Sequence, residues 1–200
     1  MRQLGLDILA PRAPTLGNFV AGANAEALAT LRAIADGNLA ESVVYLWGEP
    51  GCGRSHLLHA ARRPGVTLAD DVETLDGPAQ VALFNRINEA RESGGTVLAA
   101  GNAPPARLVL REDLRSRLGW GLVYQLKALT DDDKRLWLRA EGARRGLGIG
   151  DDVASYLLAR VRRDMPFLEA LVEHLDRHAL EQQRRVTVPL VRDMLRGLDP

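Results

Sequence analysis

The order of hydrophobic and polar residues changes character near residue 130. Before that point, short apolar runs of strand length alternate with stretches in which apolar residues recur at helical spacing. These patterns predict helices at 24–36, 55–62, 78–92 and 112–118, and strands at 43–47, 66–69, 96–100 and 121–126. Strands that alternate with helices favour a parallel sheet, so this part of the chain is predicted to be α/β.

From Thr130 onward, the apolar positions follow a helical period only. Thr130 is followed by three aspartates, which is typical of a helix N-cap with an acidic first turn. The switch from alternating elements to helices alone marks a domain boundary. The predicted organisation is a tail at 1–12, an α/β core at 13–128 and a small all-α domain at 129–200.

Composition is that of a folded protein with no general affinity for polyanions or membranes. The chain has 200 residues, of which 46% are hydrophobic, and its formal net charge is +0. No apolar run is long enough to span a bilayer. The single cysteine, Cys52, excludes an internal disulfide and fits a reducing compartment, so we predict a cytoplasmic protein.

Residues 48–55, Gly-Glu-Pro-Gly-Cys-Gly-Arg-Ser, have the spacing of a phosphate-binding loop. They lie between a predicted strand and a predicted helix, where backbone N–H groups converge on a phosphate.

Ser55 is a candidate Mg²⁺ ligand, and Arg54 stands where such loops carry lysine. Arginine keeps the charge but replaces a compact ammonium with a planar fork, so the pattern predicts nucleotide binding and leaves hydrolysis by this chain open. The alternative is a glycine-rich turn without a ligand. The candidate cofactor-binding residues of the loop are Gly48, Gly51, Cys52, Gly53, Arg54 and Ser55.

Polar residues that follow two of the predicted strands extend this candidate site. Asp70 is placed to hold Mg²⁺ together with Ser55, and Asp71 is placed to polarise an attacking water. Asn102 follows the next strand and is a candidate sensor of the γ-phosphate. Aspartates and asparagines are also common in solvated turns, so each residue has a structural alternative.

Three motifs occur in order along the chain: Gly51-Cys52-Gly53-Arg54-Ser55-His56-Leu57-Leu58-His59-Ala60, Gly101-Asn102-Ala103-Pro104-Pro105 and Ser116-Arg117-Leu118-Gly119-Trp120-Gly121. Together they resemble the AAA+ ATPase family, and within it the group of the bacterial replication initiator DnaA and its regulator Hda. Two features are more similar to Hda than to DnaA: the arginine in the phosphate loop, and the end of the chain directly after the helical domain. The resemblance implies an AAA+ P-loop core with a parallel sheet, followed by a small all-α lid domain.

The resemblance also implies site residues. The segment Asn18-Phe19-Val20-Ala21-Gly22 is similar to the family's segment over the adenine, which places Val20 at the cofactor, together with His56 of the loop helix. Arg117 is implied to be an arginine finger that acts in trans, and Arg115 is the neighbouring alternative. A structural alternative for Arg117 is packing on Trp120 with its head solvated or paired with Glu112 or Asp113.

The function implied is negative regulation of replication initiation. An Hda-like protein with bound ADP (or ATP) and Mg²⁺ would stimulate hydrolysis of ATP bound to DnaA. Its partners would be DnaA and the DNA polymerase III sliding clamp, with DNA contacted indirectly through the loaded clamp; a homo-oligomer is left open. The alternatives are an autonomous P-loop ATPase such as a DNA-loading motor, and a clamp-binding adaptor without nucleotide.

The N-terminal tail contains a separate candidate motif. Gln3-Leu4-Gly5-Leu6-Asp7-Ile8 resembles the clamp-binding peptide of Hda, in which a glutamine precedes alternating apolar residues. An extended peptide of this kind would hydrogen-bond through its glutamine and place apolar side chains in a pocket. The alternative is a hydrophobic tail that packs on its own domain. The clamp-binding candidates are Gln3, Leu4, Leu6 and Ile8.

Two departures from the family pattern lead to structural expectations. The stretch between the loop helix and Asp70 is too short for the strand–helix unit that AAA+ proteins place there. The sheet is therefore expected to have about four strands, with the strand before Asp70 as an edge. In the lid, Pro166 stands where the family has a nucleotide-sensing arginine, and Arg162 and Arg163 are the candidates to replace it.

Overall fold

The computed structural model describes residues 13–38 and 40–197, which form two compact units. The first unit, Ala13–Leu129, alternates helices and strands, whereas the unit that begins at Thr130 is helical. The elements of the first are α1 Ala25–Ala35, β1 Val43–Gly48, α2 Arg54–Ala60, β2 Val66–Ala69, α3 Gly77–Ser93, β3 Thr96–Gly101, α4 Glu112–Leu118 and β4 Leu122–Leu126. Those of the second are α5 Asp131–Arg144, α6 Asp151–Leu158, α7 Met165–Gln182 and α8 Val188–Gly197.

The strands of the first unit form a parallel sheet in the order β2-β3-β1-β4. In the register of this sheet, Trp47 of β1 lies beside Gly101 of β3 and Gln125 of β4. The prediction of a shortened, four-stranded parallel sheet is confirmed. β2, which leads to Asp70, is an edge strand, also as predicted.

Side chains of the central strands alternate between two hydrophobic clusters, one on each face of the sheet. Val44 and Leu46 belong to the cluster that includes buried residues of α1 and α2. Val43 and Tyr45 belong to the cluster that includes buried residues of α3 and α4. Burial on both faces explains why β1 is a continuous apolar run in the sequence.

The helical unit has its own core. Its first helix begins with a capping box: the Thr130 hydroxyl accepts a hydrogen bond from the Asp133 backbone N–H, and the Asp133 carboxylate accepts one from Thr130. The buried residues of α5, α6, α7 and α8 form one hydrophobic cluster, so the predicted all-α lid is confirmed. Across residues 13–38 and 40–197, no helix combines the length and the hydropathy needed to cross a membrane.

Candidate functional site

The phosphate-loop segment connects the end of β1 to the start of α2 through two glycines with positive φ. Gly51 has φ 82° and Gly53 has φ 95°, a region that residues with a Cβ rarely adopt. A Cβ on Gly53 would also lie only 2.6 Å from Cε2 of Phe19. The two glycines therefore give the chain the turn that a backbone cradle for phosphate requires.

The segment before α1 packs against this loop. The Phe19 ring lies 5.5 Å from the ring of His56, centroid to centroid, and the His56 Nε2 is 3.0 Å from the Thr15 carbonyl oxygen. Phe19 therefore covers the start of α2, while Val20, the residue that the sequence placed at the cofactor, is half-buried next to it. The structure thus brings this segment and His56 together at the loop.

Cys52 is a packing residue in the loop. It is 5% exposed, and a Cβ on Gly48 would lie 2.8 Å from its Sγ. Burial raises the pKa of the Cys52 thiol, which keeps it protonated and unreactive. A small residue is needed here because Gly48, Cys52 and the Leu126 carbonyl lie so close together.

The Arg54 side chain is 11% exposed and lies near two carboxylates. Its Nη2 is 3.8 Å from Asp71 Oδ1, and its Nη1 is 4.0 Å from Glu73 Oε1. Nη1 is buried and, within the described part of the chain, has no hydrogen-bond partner. A buried guanidinium N–H without an acceptor is costly, and a phosphate oxygen is an acceptor that would satisfy it. The loop residues therefore fit an anionic phosphate.

The residues after β2 and β3 lie at the same edge of the sheet, because both parallel strands end there. Asp70 accepts a hydrogen bond from the Asp71 backbone N–H at 2.9 Å, and Asp71 has φ 44°, a left-handed conformation that is uncommon for a non-glycine residue. Asn102, directly after β3, is exposed. Ser55 is likewise exposed at the start of α2.

Among the residues that the structure describes, no group of three or more histidines, cysteines, aspartates or glutamates is arranged as a metal site. Mg²⁺ prefers six oxygen ligands and commonly takes several from phosphate and water. Ser55 and Asp70 fit this mode, in which the protein supplies only one or two ligands.

Glu73 is a residue of this site that sequence reasoning missed. It lies in the 3-10 turn Val72–Thr74, and its Oε2 is buried without a hydrogen-bond partner among the described residues. The nearby Tyr45 hydroxyl donates to the Ala103 carbonyl at 2.8 Å, so its proton is not available to Glu73. Burial, and secondarily the charge of Glu73, raise the pKa of Tyr45 above its usual range. The only sequence signal was a third acid shortly after Asp70 and Asp71.

Arg117, in α4, is held by contacts to α3 and to Trp120, which follows three residues later in the chain. Its Nε donates to Asn88 Oδ1 at 3.0 Å, and its Cζ lies 3.4 Å from the Trp120 ring centroid and 5.2 Å from that of Phe84. The Nη atoms have no hydrogen-bond partner in the described part of the chain. The guanidinium is thus held by one hydrogen bond through Nε and by contacts to two aromatic rings, and the fork formed by the Nη atoms is left for another acceptor.

The structure agrees with the structural alternative for Arg117 in its packing on Trp120, whereas the pairing with Asp113 is not formed. Asp113 binds Arg111 instead, with 2.7 Å between Arg111 Nη2 and Asp113 Oδ2. That ion pair lowers the pKa of Asp113.

Arg115, the neighbouring candidate, lies on a different surface of α4. It lines a groove of about 500 Å³ with Pro104, Pro105 and Val123. Its Nε is buried and has no hydrogen-bond partner within residues 13–38 and 40–197. The two arginines therefore differ in environment: Arg117 contacts two aromatic rings, and Arg115 borders an open groove.

In the lid, Pro166 occupies the first turn of α7, as the sequence suggested. Arg162 and Arg163, the residues considered as replacements for a sensor arginine, are both engaged within the lid. Arg162 binds Asp164 at 3.0 Å, and Arg163 binds Asp131 at 2.7 Å.

Comparison with known proteins places these features in a family context. Residues 131–195 match the family model described as the lid domain of Hda. Domain III of DnaA from Thermotoga maritima is 18% identical with a TM-score of 0.70, covering 96% of this chain and 100% of that one. DnaA from Aquifex aeolicus with bound AMPPCP is 20% identical with a TM-score of 0.68, and the match covers 88% of this chain and 68% of that one. The RuvB Holliday junction branch migration motor of Thermotoga maritima is 17% identical with a TM-score of 0.63, and the match covers 93% of this chain and 72% of that one. These likenesses show that the chain has the AAA+ fold, and that its lid is similar to the lid domain of Hda.

Proposed function

We propose that this chain, whose lid matches the lid domain of Hda and whose core shares the fold of DnaA, is a negative regulator of DNA replication initiation that promotes hydrolysis of the ATP bound to DnaA. The match of the lid to Hda carries this proposal. The direct test is the rate of DnaA-bound ATP hydrolysis with and without this protein. We place it in the bacterial cytoplasm, near the nucleoid through the clamp.

The proposed cofactor is an adenine nucleotide, ADP in the active form. Support comes from the positive-φ glycines of the loop, from the unpartnered Arg54 Nη1 and from the position of Phe19 over the loop. Ser55 and Asp70 would hold Mg²⁺, which neutralises phosphate charge when bound. Asp71 would polarise water and Asn102 would contact the terminal phosphate if the chain hydrolysed ATP itself.

The proposed contribution of this chain to hydrolysis on DnaA is Arg117. An arginine finger stabilises the charge that develops on the transferred phosphoryl group. The contacts to Asn88, Phe84 and Trp120 hold its guanidinium in one orientation, so little rotamer freedom remains to be lost when it binds a phosphate. The unpaired Nη fork has the geometry for bidentate phosphate contact.

Nucleotide binding can be tested through Arg54. Arg54→Ala is expected to weaken ADP binding by about tenfold or more, because a charge-assisted hydrogen bond contributes about 1.5–3 kcal/mol. The rise in thermal midpoint that ADP gives the wild-type protein should shrink accordingly. Arg62→Ala is the matched control, since Arg62 is exposed. Equilibrium dialysis in which the wild-type protein retains no ADP would favour the adaptor without nucleotide.

We further propose that the tail binds the sliding clamp and thereby brings the regulator to replicating DNA. The motif that comprises Gln3, Leu4, Leu6 and Ile8 lies outside the described residues, so its support is the sequence resemblance alone. Attachment to the clamp would make contact with DNA indirect.

The clamp proposal has its own mutational test. The double substitution Gln3→Ala with Leu6→Ala is expected to weaken binding to purified clamp by about thirtyfold or more, because anchor residues of this kind contribute about 2 kcal/mol or more. The thermal midpoint should stay unchanged, and Arg12→Ala, outside the motif, should bind normally. A surface-plasmon titration in which the double variant binds as tightly as wild type would exclude this motif as the attachment point.

A further inference from the structure

The acidic side of the phosphate loop contains more carboxylate than Arg54 can neutralise. Arg54 lies within 4.0 Å of both Asp71 and Glu73, so one positive charge faces two negative charges before any ligand is present. The two acids differ in exposure: the Asp71 side chain is 57% exposed and the Glu73 side chain is 20% exposed. Water screens the first charge well and the second poorly.

The Glu73 carboxylate has no other compensation. Its Oε2 is buried without a hydrogen-bond donor among the described residues, and the Tyr45 hydroxyl beside it is committed to the Ala103 carbonyl. A Cβ on Gly101 would lie 3.0 Å from this Oε2 and 2.2 Å from the Tyr45 hydroxyl. Glu73 therefore lies against Gly101, the last residue of β3, and the only positive charge paired with it among the described residues is that of Arg54, which also faces Asp71.

We infer that Glu73 is a specificity-determining residue that makes the site prefer a nucleoside diphosphate over the triphosphate. The inference rests on the proposed binding of nucleotide by the phosphate loop. The residue at position 54 of such a loop serves the terminal phosphates of the ligand. A phosphate bound by Arg54 must share that guanidinium with Glu73, and each additional phosphate charge increases the repulsion from the poorly screened carboxylate.

The same geometry explains the arginine in the loop. A guanidinium has several N–H groups, so Nη1 and Nη2 of Arg54 can face Glu73 and Asp71 and still have N–H groups left to donate to a phosphate. A lysine ammonium is a compact point charge and could not span these acceptors in the same way.

The test compares ADP and ATP affinities of the full chain by isothermal titration calorimetry, in buffer with Mg²⁺ and in buffer with EDTA. Wild type should bind ADP more tightly than ATP. Glu73→Gln removes the charge at nearly constant volume and should reduce the ADP-to-ATP preference by about tenfold, mainly by strengthening ATP binding. Glu89→Gln, the same change at an exposed position of α3, should leave the preference unaltered.

Each outcome has a defined meaning. The inference is overturned if a folded Glu73→Gln protein keeps the wild-type preference for ADP. It is also overturned if the wild type binds ADP and ATP equally. In both cases the proposed nucleotide binding stands. A wild type that binds neither nucleotide overturns the proposed cofactor itself. If Glu73→Gln does not fold, Glu73→Asp, which retracts the carboxylate by one methylene, should give a weaker preference than wild type, and an unchanged preference would count against Glu73.

Discussion

Arg117→Ala is expected to abolish the acceleration of ATP hydrolysis on DnaA while leaving ADP binding and clamp binding intact. Arginine fingers accelerate phosphoryl transfer by about 10³–10⁵, and the truncation removes the only part of Arg117 that could reach a phosphate. Loss of the stacking on Trp120 should cost about 0.5–1 kcal/mol of stability. Hydrolysis of radiolabelled ATP on DnaA, measured with wild-type or variant protein, gives the comparison.

Two further variants separate the finger from a packing role. Arg117→Lys should rescue poorly, because an ammonium lacks the planar fork. Arg115→Ala, on the groove side of α4, should retain stimulation once the variant is saturating. If Arg117→Ala stimulates like wild type while Arg115→Ala does not, the finger is Arg115, and Arg117 serves only to pack α4 against α3.

Gly121→Ala is expected to cause the largest loss of stability among single substitutions in the Gly119-Trp120-Gly121 motif. A Cβ at this position would lie 1.9 Å from the Val43 carbonyl oxygen and 2.8 Å from its carbonyl carbon. The obstacle is backbone of the central strand β1, which cannot move aside as a flexible side chain could. β4 would have to shift away from β1, and we expect destabilisation of about 3 kcal/mol or more.

Gly119→Ala is the matched control for this prediction. Its Cβ would meet nothing closer than the Ser116 carbonyl oxygen at 3.5 Å, an ordinary van der Waals distance. The change should alter stability by about 0.5 kcal/mol or less. Urea denaturation of both variants, monitored by far-UV circular dichroism, measures the difference. Equal midpoints would show that β4 does not approach β1 as closely as described.

Sequence patterns predicted the architecture well because local rules govern it. β1 is buried on both faces and reads as a continuous apolar run, and α4 spans the predicted residues 112–118. The shortened sheet followed from the resemblance to the AAA+ family together with chain length, since the few residues before Asp70 leave no room for the strand–helix unit that the family places there. The resemblance also implied that the absent strand would have been an edge, so its loss was expected to leave the rest of the sheet intact.

Side-chain partners were less predictable because they depend on contacts between elements. Neighbours in sequence suggested Glu112 or Asp113 as partners of Arg117, but α4 packs on α3 and brings Asn88 and Phe84 to it. The role of Glu73 was hidden for a similar reason. It depends on the left-handed turn at Asp71 and on the tertiary approach of α2, neither of which is encoded in a local pattern.

The most direct measurement is hydrolysis of ATP bound to purified DnaA, in the presence of sliding clamp loaded on DNA, with and without this protein and ADP. Conversion to DnaA-bound ADP is expected to become faster when protein, ADP and loaded clamp are all present. The acceleration should disappear with Arg117→Ala and should decline when the tail motif is substituted. A rate that is the same with and without the wild-type protein, under conditions in which it binds the clamp, would contradict the proposed function.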